Sequence, residues 1–389
     1  MSFFLFASVY AHATEQNSIS FNFYGEQLSL PYSTTDFVDY KGKLDNEAIH
    51  RFCEEMATGN YQPLIKALQE YKTTHKPDDW LYYQLIRNTA QAISPKAADY
   101  NRYTLYKWYF MMASGYDATL CITNDKVLFY VQSNDNIYDV PFRMVEGKQY
   151  ICLNYHDYGS NLEALKDSFT DVNTHLLTAT NSFSYKVTQL PDFKPSDYQE
   201  KDIVFNYNQT EYKFKIKLNT EVKKIFANYP VTDYEAYFNL PLSKETYNSL
   251  IPALKESVRG MGAKTGVDYL MNFTRHAFLY QPDKQSFGKE KRLSAEQTLL
   301  SEYSDCEDRA ALFFYLVKEI YNMPMIVLAF PEHVTVAVKF DKPIGRPIIY
   351  NGSTYTVCEP TPQRQDLRVG QLSRELSKET YEVAYVYNP

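Results

Sequence analysis

The chain has 389 residues, enough for two or three domains, each with a sizeable core. Its 40 Lys+Arg against 47 Asp+Glu give a net charge of −7, spread without long charge runs. That balance argues against nucleic acid as the main partner, because phosphate binding needs a concentrated basic surface. The 36 Tyr and 24 Phe are the compositional departure. Tyrosine buries its ring while keeping its hydroxyl wet, so the first reading is a packing style. The second is an aromatic surface for peptides or sugars.

The start reads MSFFLFASVYAHATEQNS. Residues 3–11 are apolar but too few to span a membrane, and Ala11-His12-Ala13 suits signal peptidase. Residues 1–13 are therefore expected to be a signal peptide whose basic start is missing, the alternative being a buried first strand. The chain is expected to be exported, whether to a periplasm, a cell envelope or the outside. No later stretch is apolar enough to cross a membrane.

ISFNFYGEQLSLPYS then reads as strands. Residues 46–94 have helical spacing, interrupted at Gly59 and at HKPDD, and 103–113 continue as a helix that ends at Ser114-Gly115. ATLCIT, VLFYVQS and KQYICLN are three short strands. A polar stretch near 158–202 looks like a boundary, and DIVFNYNQTEYKFKIKLN is a hairpin turning at Asn-Gln. Residues 244–280 read as two helices around Gly260 and Gly262. The expected domains are 14–160, a connecting segment with its hairpin at 161–243, and 244–389.

The five cysteines, Cys53, Cys121, Cys152, Cys306 and Cys358, are scattered, with no C-x-x-C. They make neither a zinc site nor a dense disulfide framework, and no metal or other cofactor is expected. Cys306 differs from the rest. It lies in SDCEDRAALFFYLVKEIY, where Ala310, Phe313, Phe314, Val317, Ile320 and Tyr321 recur as the stripe of a core-facing helix. Ser304 and Glu307 fit an S-x-x-E capping box, which puts Cys306 in the first turn. MIVLAF is a strand, HVTVAVKF a second that begins at His333, and YNGSTYTVCEPT a hairpin and third strand ending at Glu359. If the last two strands are antiparallel neighbours, His333 and Glu359 meet at one edge. A helix packed with its N-terminus there presents Cys306 to them, the arrangement of nucleophile, base and orienting acid. Cys358, on the other side of its strand, is read as core.

The motifs DCED at 305–308, HVTVAV at 333–338 and YTVCEPT at 355–361, in that order, resemble the transglutaminase-like branch of the papain-like cysteine enzymes. The resemblance covers roughly residues 245–375. It implies an α+β fold with the cysteine helix packed on an antiparallel sheet, and thiol chemistry at amide or ester bonds. It also implies Cys306 as nucleophile, His333 as general base and acid, and Glu359 as the residue that fixes the imidazole. Ser304 where the family favours glycine, and Glu359 where it often has aspartate, are departures.

The first half carries a similar pattern. LYKWYFMMASGYDATLCITNDKVLFYVQS aligns at constant spacing with LFFYLVKEIYNMPMIVLAFPEHVTVAVKF, and VEGKQYICLN aligns with YNGSTYTVCE. In that register Asp99, Lys126 and Asn154 stand opposite Cys306, His333 and Glu359, and none could replace its counterpart. A degenerate copy of the same unit is expected at about 45–157. The expected function is an exported cysteine amide hydrolase of the peptidase type, or an acyltransferase. Its substrate would be a protein, a peptide or a peptide-containing part of the cell envelope. With no calcium-loop pattern, hydrolysis is favoured over cross-linking. The alternative is a non-catalytic module binding peptides or glycans with a vestigial site.

Overall fold

The computed structural model describes residues 18–40, 42–124, 126–158, 169–172, 179–282 and 291–389. The proposed signal peptide lies outside these residues. The chain opens with the hairpin β1 (Ser18–Phe23) and β2 (Glu26–Pro31). Four helices follow: α1 (Asn46–Thr58), α2 (Gln62–His75), α3 (Asp79–Ile93) and α4 (Tyr100–Ala113). Gly59 and the Lys76–Asp78 stretch end α1 and α2, as the breakers in the sequence require. Strands β3 (Ala118–Thr123), β4 (Lys126–Gln132), β5 (Phe142–Val145), β6 (Lys148–Cys152) and β7 (Thr170–Val172) complete the first half.

The second half begins with the long hairpin β8 (Gln199–Tyr207) and β9 (Thr210–Leu218), turning at Asn208-Gln209 with positive φ at both. Next come α5 (Glu221–Ile225), α6 (Tyr234–Phe238), α7 (Lys244–Ser257), α8 (Ala263–His276) and β10 (Leu279–Tyr280). They lead through α9 (Ala295–Leu300) and β11 (Tyr303–Ser304) to α10 (Cys306–Tyr321). Strands β12 (Met325–Phe330), β13 (His333–Val338), β14 (Ile348–Tyr350), β15 (Ser353–Cys358) and β16 (Glu382–Tyr387) end it.

The architecture is mixed α+β with antiparallel sheets. One five-stranded sheet has the order β14-β15-β13-β12-β16, the other β5-β6-β4-β3-β7. The two orders correspond strand for strand. The ladder between β12 and β13 ends at Phe330 opposite His333, and that between β3 and β4 at Thr123 opposite Lys126. One face of each sheet feeds a continuous core shared by both halves, in which α4 contributes Tyr106 and Phe110 and α10 contributes Phe313, Phe314 and Val317. The opposite faces carry small clusters, Ile326, Leu328 and Val357 in one and Cys121, Leu128 and Cys152 in the other. The central strands are near-continuous apolar runs, and because successive side chains point to opposite faces both faces are buried.

The stretch read as a boundary is no free linker. Thr170–Val172 pairs with β3 as its fifth strand. Ser184 and Thr188 N–H groups donate to Asp79 and Asp78 at the start of α3, both at 2.8–2.9 Å. Polar composition there reflects hydrogen bonding to a helix start, which a sequence cannot distinguish from solvation.

A loop from Pro360 to Glu375 folds back beneath the second sheet and buries Leu376. Its close packing depends on two glycines. Gly345 and Gly370 both have positive φ, and a Cβ on Gly370 would lie 2.6 Å from the Ile344 carbonyl oxygen. Gly370 N–H also donates to the Val357 carbonyl at 2.8 Å. Gly370→Ala is expected to destabilise the protein by about 2 kcal/mol, since backbone rather than a flexible side chain must move. Urea unfolding would check it. A midpoint equal to wild type would contradict the close backbone approach.

Candidate functional site

The N-cap of helix α10 is Asp305, one residue later than the S-x-x-E pattern suggested. Asp305 accepts from the Asp308 N–H at 3.1 Å, and Asp308 accepts in return from the Asp305 N–H at 3.4 Å. Aspartate caps as well as serine does, so Ser304 is left in the short strand β11. Cys306 is thus the first helical residue. The acids around it, which would disfavour a thiolate, are engaged elsewhere. Asp308 also accepts from Leu293 N–H at 2.8 Å, and Glu307 pairs with Arg292 at 2.8 Å.

His333 opens β13, and Glu359 follows the last residue of β15 rather than ending that strand. The antiparallel pairing of Val336 with Cys358 brings them to one edge. His333 Nε2 meets Glu359 Oε2 at 2.7 Å, with Glu359 fully buried. The other carboxylate oxygen accepts from the Thr361 N–H at 2.8 Å. That leaves Nδ1 as the ring nitrogen free for the sulfur. Burial works against the imidazolium, but interaction with Cys306 and with Glu359, through hydrogen bonding and charge, outweighs it. His333 is raised to about 10. His333 and Glu359, both singled out in the sequence, meet at one edge, and Cys306 lies near enough to act on the imidazole.

Cys306 is also the one cysteine that is not buried. Burial pushes the thiols of Cys53, Cys121 and Cys152 up to about 12, 11 and 12, and that of Cys358 higher still. Cys358 sits in the core, as its place on β15 implied.

Two buried arginines, which sequence reading missed, fix the site from behind. Arg309 donates to the carbonyls of Thr274 (3.1 Å), Arg275 (2.7 Å) and Phe278 (2.9 Å), closing the C-terminal turn of α8. Burial holds its guanidinium down, to about 10. Arg275 donates to the Glu359 carbonyl. Their only sequence signal was a charged residue on the apolar side of each helix. Beside the thiol, Tyr280 on β10 is half exposed, and its hydroxyl is raised by burial first and by the charge of Cys306 second. On the imidazole side a groove of about 650 Å³ opens, lined by Glu332, His333, Arg364, Arg374, Glu375 and Glu379, among others.

The corresponding edge of the first sheet has other chemistry. Asp99 is the N-cap of α4, accepting from the Arg102 N–H at 2.9 Å, as Asp305 is the cap of α10. Counted from the caps, Tyr100 takes the place in α4 that Cys306 takes in α10. Asn154 accepts from Phe129 N–H and donates to the Val127 carbonyl, each at 2.9 Å, and to the Tyr100 hydroxyl at 3.2 Å. Lys126 lies over the Tyr158 ring. Asp157 accepts from the Tyr100 hydroxyl at 2.7 Å and lies 3.4 Å from His156 Nε2, while the buried Cys152 thiol donates to Asn154 Oδ1 at 3.5 Å. Two turns further along α4, Lys107 is fully buried with no hydrogen-bond partner among the described residues, its ammonium 4.4 Å from the Tyr103 ring centre.

No family model matches the sequence, and no curated protein or solved structure is significantly similar to it. Among the described residues there is no cluster of potential metal ligands, and no helix is long and apolar enough to cross a membrane.

Two stability effects follow. His333 is raised in the folded chain above its unfolded value of about 6.5. Its contribution is complete below that pH and is lost as pH rises toward 10. Urea midpoints of wild type and His333→Gln should converge across that window; a pH-independent gap would contradict the pairing. Lys107 shows the opposite case. Desolvation and the nearby Arg87 charge lower it to about 7. The unfolded lysine binds protons that the folded one rejects, so the penalty grows as pH falls from about 10.5 to 7. Lys107→Met should raise stability by roughly 1–3 kcal/mol at neutral pH, and by less at pH 10.5. Thermal unfolding at both pH values would measure this.

Proposed function

We propose that the chain is a cysteine-dependent amide hydrolase of the transglutaminase-like type, with Cys306 as nucleophile, His333 as proton carrier and Glu359 as its orienting acid. The observation that carries this reading is the buried Glu359 carboxylate 2.7 Å from an imidazole whose protonated form is favoured by the Cys306 sulfur. Both features are what a thiolate–imidazolium pair requires. The thiolate attacks an amide carbonyl and forms a C–S bond. The negative oxygen is met by amide N–H groups in the first turn of α10, which have no partner within the helix. The C–N bond breaks as His333 gives its proton to the leaving amine. Water then attacks the thioester, His333 takes its proton, and the carboxylic acid and free thiol are restored. An amine in place of water would give transamidation. The substrate is a peptide or a peptide-bearing molecule.

The matching strand orders and the paired caps at Asp99 and Asp305 support a further reading. The first half is a degenerate copy of the catalytic unit, in which Tyr100, Lys126 and Asn154 have replaced the three reacting groups and tyrosine hydroxyls fill the edge.

Iodoacetamide at neutral pH tests the first reading directly. Selective labelling of Cys306 over the four buried cysteines is expected, at a rate above that of a free thiol that falls in His333→Ala. On any peptide that wild type cleaves, Glu359→Gln should reduce kcat by roughly 10²- to 10⁴-fold, as orienting acids do. Cys306→Ala should abolish the acyl-enzyme without altering the fold. A Cys306 no more reactive than a free thiol would favour a binding module and overturn the enzyme.

A further inference from the structure

The groove described above opens on the imidazole side of the three residues. A general acid must reach the amine it expels, so this trough is where the amine-side fragment of a cleaved amide lies. Its size falls within the range of pockets that enclose a small ligand. Two arginines, Arg364 and Arg374, line it. Arg102, Arg143, Arg259 and Arg292 each pair with a carboxylate. The guanidiniums of Arg364 and Arg374 are joined to no other described residue, although Asp366 lies two positions from Arg364 in the chain. Asp366 is turned instead toward Arg275 and His276. Two guanidiniums in one trough, neither with a partner among the described residues, on a chain of net charge −7, are placed for an anion from outside. Arginine grips a carboxylate in two-point fashion. The trough also holds unpaired acids, and Glu332 precedes His333 directly, where a newly freed amine would emerge as an ammonium.

Unpaired charges of both signs complement a ligand that is itself a zwitterion. We propose that this groove recognises the free C-terminal carboxylate of a short amine-side fragment through Arg364 and Arg374. The chain would then remove short pieces from peptide C-termini rather than cut within long chains. This rests on the thiol-hydrolase reading of the site.

Binding separates the two. With Cys306→Ala protein, so that nothing is turned over, calorimetric titration compares trialanine as the free acid with trialanine amide, both with free amino termini. The acid should bind at least about tenfold more tightly, as one lost charge-assisted contact implies. In R364E/R374E on the same background that preference should vanish. A parallel R364E/R374E with Cys306 intact should label with iodoacetamide at the wild-type rate, which shows the site still folded. Equal affinity for acid and amide, no binding of either at millimolar concentration, or a preference that survives R364E/R374E would each overturn the groove assignment while leaving Cys306 chemistry untouched. Acid-selective binding together with an unreactive Cys306 would overturn the hydrolase and leave the carboxylate pocket standing.

Discussion

The guanidinium of Arg309 is the point on which the candidate site turns. It belongs to the helix that carries Cys306, yet its hydrogen bonds all end on carbonyls at the C-terminus of α8. The neighbouring Arg275 then reaches the Glu359 carbonyl. The Cys306 helix, its supporting helix α8 and Glu359 are thereby tied into one body through backbone atoms, whose positions vary less than those of side chains. A buried cation with several carbonyl acceptors is costly to disturb, because removing it leaves those acceptors without partners. The arrangement sets the distance between α10 and the edge where His333 and Glu359 meet, and the sheet can then do little but present the imidazole to the sulfur.

The charges near Cys306 follow from the same constraint. Three acids surround the thiol in sequence, which alone would disfavour a thiolate. In the fold, two of them cap the helix and each other, and the third is held by Arg292. What remains facing the sulfur is a helix start, with its unbonded N–H groups, and an imidazole. Local sequence and local field thus have opposite signs here, and only tertiary pairing reconciles them.

How much of this was legible beforehand can be argued from particular residues. The helix of Cys306 and the strands of His333 and Glu359 were readable because each carries a clean apolar period and a turn signal. The convergence followed from strand order. The cap was misplaced by one residue because Ser304 and Asp305 are both good caps, and the choice depends on which of them Asp308 can answer. The edge strands at 142–145, 170–172 and 382–387 were not read. Each is short or half exposed, and exists because a neighbouring strand offers unpaired backbone groups. Arg275 and Arg309 were invisible for a related reason, since a charged residue on a helix is ordinarily a solvated one. In the polar stretch before the long hairpin, the N–H groups of Ser184 and Thr188 serve the start of α3, which composition alone does not reveal.

Two sheets of one strand order in a single chain create a problem of partner choice during folding. A β12 strand emerging beside a finished first sheet meets edges built to accept a strand of its own kind, and mispairing between tandem look-alikes is a characteristic failure of such chains. The side chains supply the discrimination. The helix over the first sheet is thick with tyrosine and carries Trp108, whereas α10 offers Ala310, Ala311, Leu312 and Leu316. A strand shaped for one of these surfaces leaves voids or clashes against the other. The divergence of the two cores, which at first looks like decay from a common pattern, acts as an address that sends each strand home.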